Sequence, residues 1–290
     1  MNVLSLFDGI GVGKLALEQL GKDHNYFASE IDKTAIGVCN KQLSDITHLG
    51  DIKDISGRDL PPIDLIMGGS PCQGFSCEGR QENFEHKQSR LFWEFIRLLK
   101  ETSPRYFLLE NVVMKKIWEE IITSYMGVEP LKINSSLFTC QNRERLYWTN
   151  IPLKEEMDIK EETLEDIVDP DLPMDGEVIQ KRDKKINKHK LNKIGETDKE
   201  IGRERPRRVY SVKGKCPTLL SGGGKDNTPK ISFDGDNWRA LSIEECEKAQ
   251  GLPVGYTQFT EEKELSFYKR KILLGNSWTL PVIKYLLSLI

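Results

Sequence analysis

Residues 1 to 21 constrain the fold more than any other stretch. Asn2 to Phe7 is a short apolar run, Asp8-Gly9-Ile10-Gly11-Val12-Gly13 follows, and Lys14 to Leu20 carries a helical pattern closed by Gly21. Strand, glycine-rich turn and helix in immediate succession open a doubly wound α/β sheet, in which ligands bind outside the carboxyl ends of the strands. The glycines let a backbone approach a ligand closely, and the helix start offers unpaired N–H groups. Alone the pattern is weak evidence, because many strand-to-helix turns are glycine-rich for steric reasons only.

Further strand ends carry chemistry. Tyr26 to Ser29 predicts a second strand ending at Glu30-Ile31, where a carboxylate can accept from two ribose hydroxyls. A third segment closes on Gly50-Asp51-Ile52. Each acid alone is as readily a solvated loop residue; both at strand ends beside a glycine turn favour an adenosine-containing ligand. Ile63 to Met67 predicts a buried strand that runs into Gly68-Gly69-Ser70-Pro71-Cys72-Gln73-Gly74-Phe75-Ser76. Most lone cysteines are small buried hydrophobes. One just past a strand-ending glycine turn is also placed as a nucleophile. Cys77 to Ser89 is polar, contains Arg80, and reads as a lid beside that cysteine. Residues 90–100 predict a helix with Leu91, Phe92, Phe95, Leu98 and Leu99 on one face. After Pro104, Tyr106 to Leu109 predicts a strand ending in Glu110-Asn111-Val112. Gln141-Asn142-Arg143-Glu144-Arg145 precedes the apolar run Leu146 to Ile151, and arginines two apart on a strand point to one face. That pair would orient an anion or a base, or is simply a surface pair.

Composition changes after Pro152. Residues 155–177 hold eleven acids against one base, and residues 178–215 hold fourteen bases against five acids. Such blocks are solvated surface, partial disorder, or in the basic case an arm for phosphates. Arg207 to Val212 and the run Cys216 to Gly224 predict two strands, the second with a glycine tip. Ser242 with Glu245 three residues on predicts a capped helix. Gly275 to Pro281 predicts the start of a helix running to the end of the chain. The six cysteines include no CxxC pair, so a structural zinc site and any other metal site are not expected. The absence of a basic leader or a long apolar run predicts a cytoplasmic protein with no membrane partner.

Together these segments resemble the DNA cytosine-C5 methyltransferases over most of the chain. Phe7-Asp8-Gly9-Ile10-Gly11 is similar to the family's first motif and Pro71-Cys72-Gln73 to its catalytic motif. Glu110-Asn111-Val112, Gln141-x-Arg143-x-Arg145, Arg239-x-Leu241-Ser242 with Gln250-Gly251-Leu252-Pro253, and Gly275-Asn276-Ser277 follow in the family's order. Some details lean towards the animal de novo enzymes, whereas Pro-Cys-Gln-Gly-Phe-Ser has the bacterial form; a compact prokaryotic or viral enzyme fits both. Asp8 departs from the alanine common in the first motif.

The resemblance implies a Rossmann-like S-adenosylmethionine-dependent methyltransferase sheet with a smaller target-recognition domain. Residues 1–153 plus 268–290 would be catalytic and residues 154–267 would read the target. It implies Cys72 as nucleophile, Glu110 as proton donor to the ring, and Arg143 and Arg145 as orienting groups. S-adenosylmethionine would be held by Phe7, Asp8, Gly9, Ile10, Gly11, Val12, Glu30, Ile31, Asp51, Ile52 and Gly69, with Asn276, Ser277 and Trp278 closing the site. Double-stranded DNA would meet Gln73, Ser76, Arg80, Gln141, Arg207, Arg208, Ser221, Gly222 and Gly223. A cognate restriction endonuclease is a compatible partner. The rivals are an RNA methyltransferase of the same fold, a binding protein that has lost catalysis, and a nicotinamide-dependent dehydrogenase. The last leaves Cys72 and Glu110 without roles.

Overall fold

A computed structural model describes residues 1–70, 91–154, 156–181, 186–197, 204–222 and 227–290 of the chain. In chain order the first elements are β1 (Asn2–Leu6), α1 (Val12–Gln19), β2 (Asn25–Ser29), α2 (Lys33–Gln42), β3 (Ile46–His48) and β4 (Leu65–Gly69). They are followed by α3 (Leu91–Thr102), β5 (Tyr106–Val112), α4 (Lys116–Met126), β6 (Leu131–Asn134), β7 (Gln141–Asn142) and β8 (Glu144–Thr149). The remainder comprises β9 (Gly176–Glu177), β10 (Lys193–Glu196), α5 (Glu204–Arg207), β11 (Arg208–Ser211), β12 (Cys216–Pro217), β13 (Lys230–Ser232), β14 (Asn237–Ala240), α6 (Ile243–Ala249), α7 (Phe267–Asn276) and α8 (Leu280–Leu286). Among the described residues no helix is long and apolar enough to cross a membrane.

Two compact units result. The first comprises Met1–Ile133, Glu144–Glu156 and Ile283–Ile290. Its seven-stranded sheet has the order β3-β2-β1-β4-β5-β8-β6. The pairs joining β3, β2, β1, β4 and β5 are parallel, and β8 runs antiparallel to β5. Parallel strands covered on both faces need unbroken apolar runs, which Val3 to Leu6 and Leu65 to Met67 supply, Ser5 excepted. Leu4, Leu6, Ile66 and Leu109 pack with Phe92 and Phe95 of α3 and with Trp148 of β8 in one core. Gly68 lets β4 lie close against β1, since a Cβ there would sit 2.7 Å from the Leu6 carbonyl oxygen. Strand order reverses between β1 and β4, and the crevice beyond their carboxyl ends is where a doubly wound sheet takes its ligand.

The strand expected over Tyr106 to Leu109 and ending in Glu110-Asn111-Val112 is β5, and β8 pairs with it as far as Val112 opposite Arg145. That partner lies more than thirty residues away in sequence, beyond the reach of a local reading.

The second unit comprises Asn134–Arg143 and Met157–Val282. The partition drawn from the sequence had placed residues 134–143 and 268–282 with the catalytic part. Here one sheet has the order β10-β11-β13-β14-β9, and β12 pairs with β7. Lysines of the basic block are paired with carboxylates: Lys188 with Glu161 of the acidic block, Lys181 with Asp236 further along the chain, and Lys193 with Glu196 of its own block. Lys215 is buried, its Nζ donating to the carbonyls of Ser136, Thr139 and Glu162. These lysines are therefore less available to phosphate than their count suggests.

Three sequence expectations change here. Thr218 to Ser221 is not a strand; Thr218 Oγ1 donates to the Asn142 carbonyl and the Leu219 N–H to Gln141 Oε1, so side-chain bonds hold the segment against β7. Arg207 ends a short helix rather than starting a strand. Gly275-Asn276 closes α7, and a separate helix starts at Leu280 with Pro281 in its first turn. The capping box of Ser242 and Glu245 on α6 is present.

Candidate active site

In the first unit, the turn after β1 is set by left-handed backbone: Phe7 has φ +58°, Gly9 +60° and Gly11 +77°. A non-glycine residue there is strained, so the surroundings must hold Phe7. Gly11 and Gly13 are required by packing. A Cβ on Gly11 would lie 2.6 Å from Cys39 Sγ, and one on Gly13 2.9 Å from the Tyr26 hydroxyl. Gly9 is different, since its Cβ position meets nothing within 4 Å and faces open space. Ile10 and Val12 are buried core residues, which leaves only their main chain open to a ligand in the crevice.

Glu30 stands at the end of β2. Its Oε2 accepts from the Gly9 N–H at 2.9 Å, and its Oε1 from the N–H groups of Ile31 and Asp32 at 2.7 and 2.9 Å. Three of the roughly four acceptor sites of a carboxylate are thus used, leaving one on Oε2 for an incoming hydroxyl. Ile31 beside it is 69% exposed, a free apolar surface for a planar ring. Asp51 caps the short helical turn that follows β3 by accepting from the Lys53 N–H. Ile52 packs in the core and its carbonyl accepts from Arg97. Aromatic and aliphatic surface, a carboxylate and an open glycine at one sheet edge form a donor and acceptor set that fits a nucleoside-bearing cofactor.

The second cluster lies across β4, β5 and β8. Register places Gly69 beside Glu110, and Asn111 Nδ2 donates to Ser70 Oγ at 3.0 Å. The motif pattern alone gives Asn111 no role; the bond ties β5 to the residue that leads towards Cys72. Val112 lies opposite Arg145 and Glu110 opposite Tyr147, so Glu110 and Arg145 share one face of the sheet. The Arg145 Nε is 3.0 Å from Glu110 Oε1, with the side chains 15% and 12% exposed. Cys72, Gln73, Ser76 and Arg80, and the expected lid from Cys77 to Ser89, lie outside the described residues.

The two arginines do not share a strand. The chain breaks its β geometry between β7 and β8 at Arg143, which is buried in the second unit. Its guanidinium donates to the carbonyls of Leu219, Gly275 and Ser277 at 3.2, 3.1 and 3.0 Å. Arg143 is therefore a clamp on two backbone segments, one at Leu219 and one at Gly275 to Ser277, which corrects the expectation that it orients the base together with Arg145. A Cβ on Gly275 would meet the Ser221 nitrogen at 2.2 Å, so that glycine too serves this clamp. Gln141 is fully buried, with Nε2 donating to Ala249 O and Gln250 Oε1 and Oε1 accepting from Leu219. It has no surface to offer DNA, a correction whose cause is the β7–β12 pairing. Asn276, Ser277 and Trp278 lie in the same unit; Ser277 Oγ donates to the Leu274 carbonyl. Arg207 approaches buried Glu196 at 3.7 Å, whereas Arg208 and Ser221 are half-buried and Gly222 is exposed. Gly223 lies outside the described residues.

A family model for C-5 cytosine-specific DNA methylases matches residues 1–290. The Type II methyltransferase M1.ScrFI of Lactococcus lactis subsp. cremoris is 36% identical over 156 residues, which is 50% of this chain and 40% of that relative. The chain thus matches less than half the length of the first curated relatives found. The Type II methyltransferase M.Bsp6I of a Bacillus species is 28% identical over 98% of this chain and 96% of its own. Among solved structures, the S. pombe Dnmt2 methyltransferase shares the fold with a TM-score of 0.70 at 16% identity, over 100% of this chain and 97% of that one.

Proposed function

The chain belongs to the C-5 cytosine-specific DNA methylase family, and from that premise we propose that it transfers the methyl group of S-adenosylmethionine to C5 of a cytosine flipped out of duplex DNA, through a covalent adduct with Cys72. The observation that carries this reading is the Glu110–Arg145 pair at 3.0 Å, held on the strand beside the one that leads to Cys72.

Cytosine C5 is a weak nucleophile. Attack by the Cys72 thiolate on C6 makes the ring an enamine whose C5 can accept a methyl group. Charge that develops at N3 is met by a proton from Glu110. Arg145 fixes the carboxyl group's position and Asn111 fixes the strand beneath it. S-adenosylmethionine supplies an electrophilic methyl group; Phe7, the Gly9 turn, Glu30, Ile31 and Asp51 would hold it. The thioether adduct is released when C5 loses its proton to a base or to water. A base stacked in a duplex cannot reach these groups, so flipping is part of the reaction. Target reading is assigned to the second unit, with Arg208, Ser221, Gly222 and Gly223 as candidate contacts to bases and phosphates. Gln73, Ser76 and Arg80 are candidates beside the flipped base. A nuclease cutting the same site would be a natural partner, its digestion blocked by the methyl group.

The test is transfer of labelled methyl groups to duplex DNA and, separately, to tRNA, followed by bisulfite sequencing of the DNA. Methylated cytosines within one sequence context are expected. Duplex DNA carrying 5-fluorocytosine should trap the wild type covalently and leave Cys72→Ala free. Methylation of tRNA alone would overturn the substrate, and full activity of Cys72→Ala would overturn the nucleophile.

A further inference from the structure

Asp8, the departure from the family's first motif, does not face the crevice. Its Oδ1 accepts from Ser5 Oγ and from the Tyr26 hydroxyl, both at 2.6 Å, and Cys39 Sγ lies 3.8 Å from Oδ2. Ser5, Tyr26 and Cys39 are themselves buried and belong to β1, β2 and α2. The carboxylate therefore reaches inward from the ligand-side turn and ties it to three elements. Its main chain is held as well: the Asp8 N–H donates to the Ser29 carbonyl and the Asp8 carbonyl accepts from Gly11. Asp8 also sits between the two left-handed residues Phe7 and Gly9. The absent Cβ groups of Gly11 and Gly13 make room for Cys39 and the Tyr26 hydroxyl, the same groups that surround the carboxylate.

We propose that Asp8 is a positioning residue for the methyl donor: its inward carboxylate, gripped by the Ser5 and Tyr26 hydroxyls, holds the Phe7–Gly9 turn in the left-handed shape that binding requires. This rests on the reading of the first unit as the S-adenosylmethionine site. Burial pushes the Asp8 carboxyl up to about 6, against the two hydroxyl donors that lower it, and nearby Glu30 adds to the rise. Its ionised form is thus held at a cost to folding, which a neutral residue would avoid. The other titratable groups around it are Tyr26 and Cys39, both pushed up by burial and neutral in this range, and Lys14, which lies over the Tyr26 ring. Glu18 and His24 lie beyond Lys14.

The experiment is calorimetric binding of S-adenosylhomocysteine to the full chain, with no DNA and no turnover. Asp8→Asn is expected to weaken binding about tenfold, and Tyr26→Phe about threefold, with the melting temperature of unliganded Asp8→Asn at pH 7.5 equal to or above wild type. Wild-type affinity is expected to fall as pH is lowered from 7.5 through 6, where protonation removes the charge that strengthens the bonds from both hydroxyls to Oδ1. Asp8→Asn, which keeps Glu30 and His24, should lose that pH dependence. If wild type binds and Asp8→Asn matches it in affinity and pH profile, the inference is overturned while the cofactor reading stands. If wild type does not bind, both fall. Should Asp8→Asn not fold, an unchanged Tyr26→Phe affinity together with a flat wild-type profile would overturn the inference.

Discussion

Replacing Arg145 with methionine keeps the stem of the side chain and removes the charge facing Glu110. At a separation of 3.0 Å and an effective dielectric of about 20, the gross attraction is about 5 kcal/mol. Desolvation of both groups takes back a large part, and their 15% and 12% exposure places the pair between a surface bridge and a fully buried one. A net coupling of about 1–3 kcal/mol follows. The single variant should lose more than that range's lower end, because Glu110 is left buried without its cation. The assay is a double-mutant cycle of Arg145→Met with Glu110→Gln in urea. It is followed by tryptophan emission in a background where Trp238 and Trp278 of the second unit are phenylalanine, so that unfolding of the first unit is read. Glu110→Gln and the double variant should then be close in stability. In single-turnover methyl transfer, Glu110→Gln should slow chemistry far more than it weakens DNA binding, since proton donation matters only at the transition state. A coupling under about 0.5 kcal/mol, or an Arg145→Met enzyme as fast as wild type, would refute the pair as the device that sets Glu110 in place.

Glu30→Ala should weaken S-adenosylhomocysteine binding by about 1–3 kcal/mol, and calorimetry with unchanged affinity would move the hydroxyl contact elsewhere. Gly275→Ala should destabilise the second unit, because its methyl group would meet the backbone of Leu220 and Ser221; overpacking of this kind costs about 1–3 kcal/mol, read as a lower urea midpoint for that unit. Stability should also depend on pH through Asp8. With its carboxyl raised from 3.8 to about 6, the folded chain binds more protons than the unfolded one between those values. Its contribution therefore favours folding at low pH and is lost as pH rises through 6. Asp8→Asn should flatten that segment of a melting-temperature profile, and an unchanged slope would place the titration on another group.

The arrangement of β1, its turn and α1 was legible because apolar period, glycines and helix closure all lie within residues 1–21. The capping box on α6 was legible for the same reason. Local pattern also marked Glu30 and Glu110 as acids near strand ends. It did not show that Glu30 spends most of its acceptor capacity on backbone N–H groups, since those bonds exist only once the turn closes over β2. Gln141 and Arg143 looked like readers and orienters because a strand pattern gives them a face. Tertiary packing beside β12 made Gln141 a buried bridge, backbone carbonyls distant in sequence made Arg143 a clamp, and the pairing of β8 with β5 set Arg145 on the face of Glu110. Asp8 is the sharpest case. Sequence showed an acid in a ligand-binding turn, but the direction of its carboxylate depends on Tyr26 and Cys39, which lie eighteen and thirty-one residues away. Side-chain direction in a left-handed turn is set by whichever partners the neighbouring strand and helix bring, and only the packed sheet brings them.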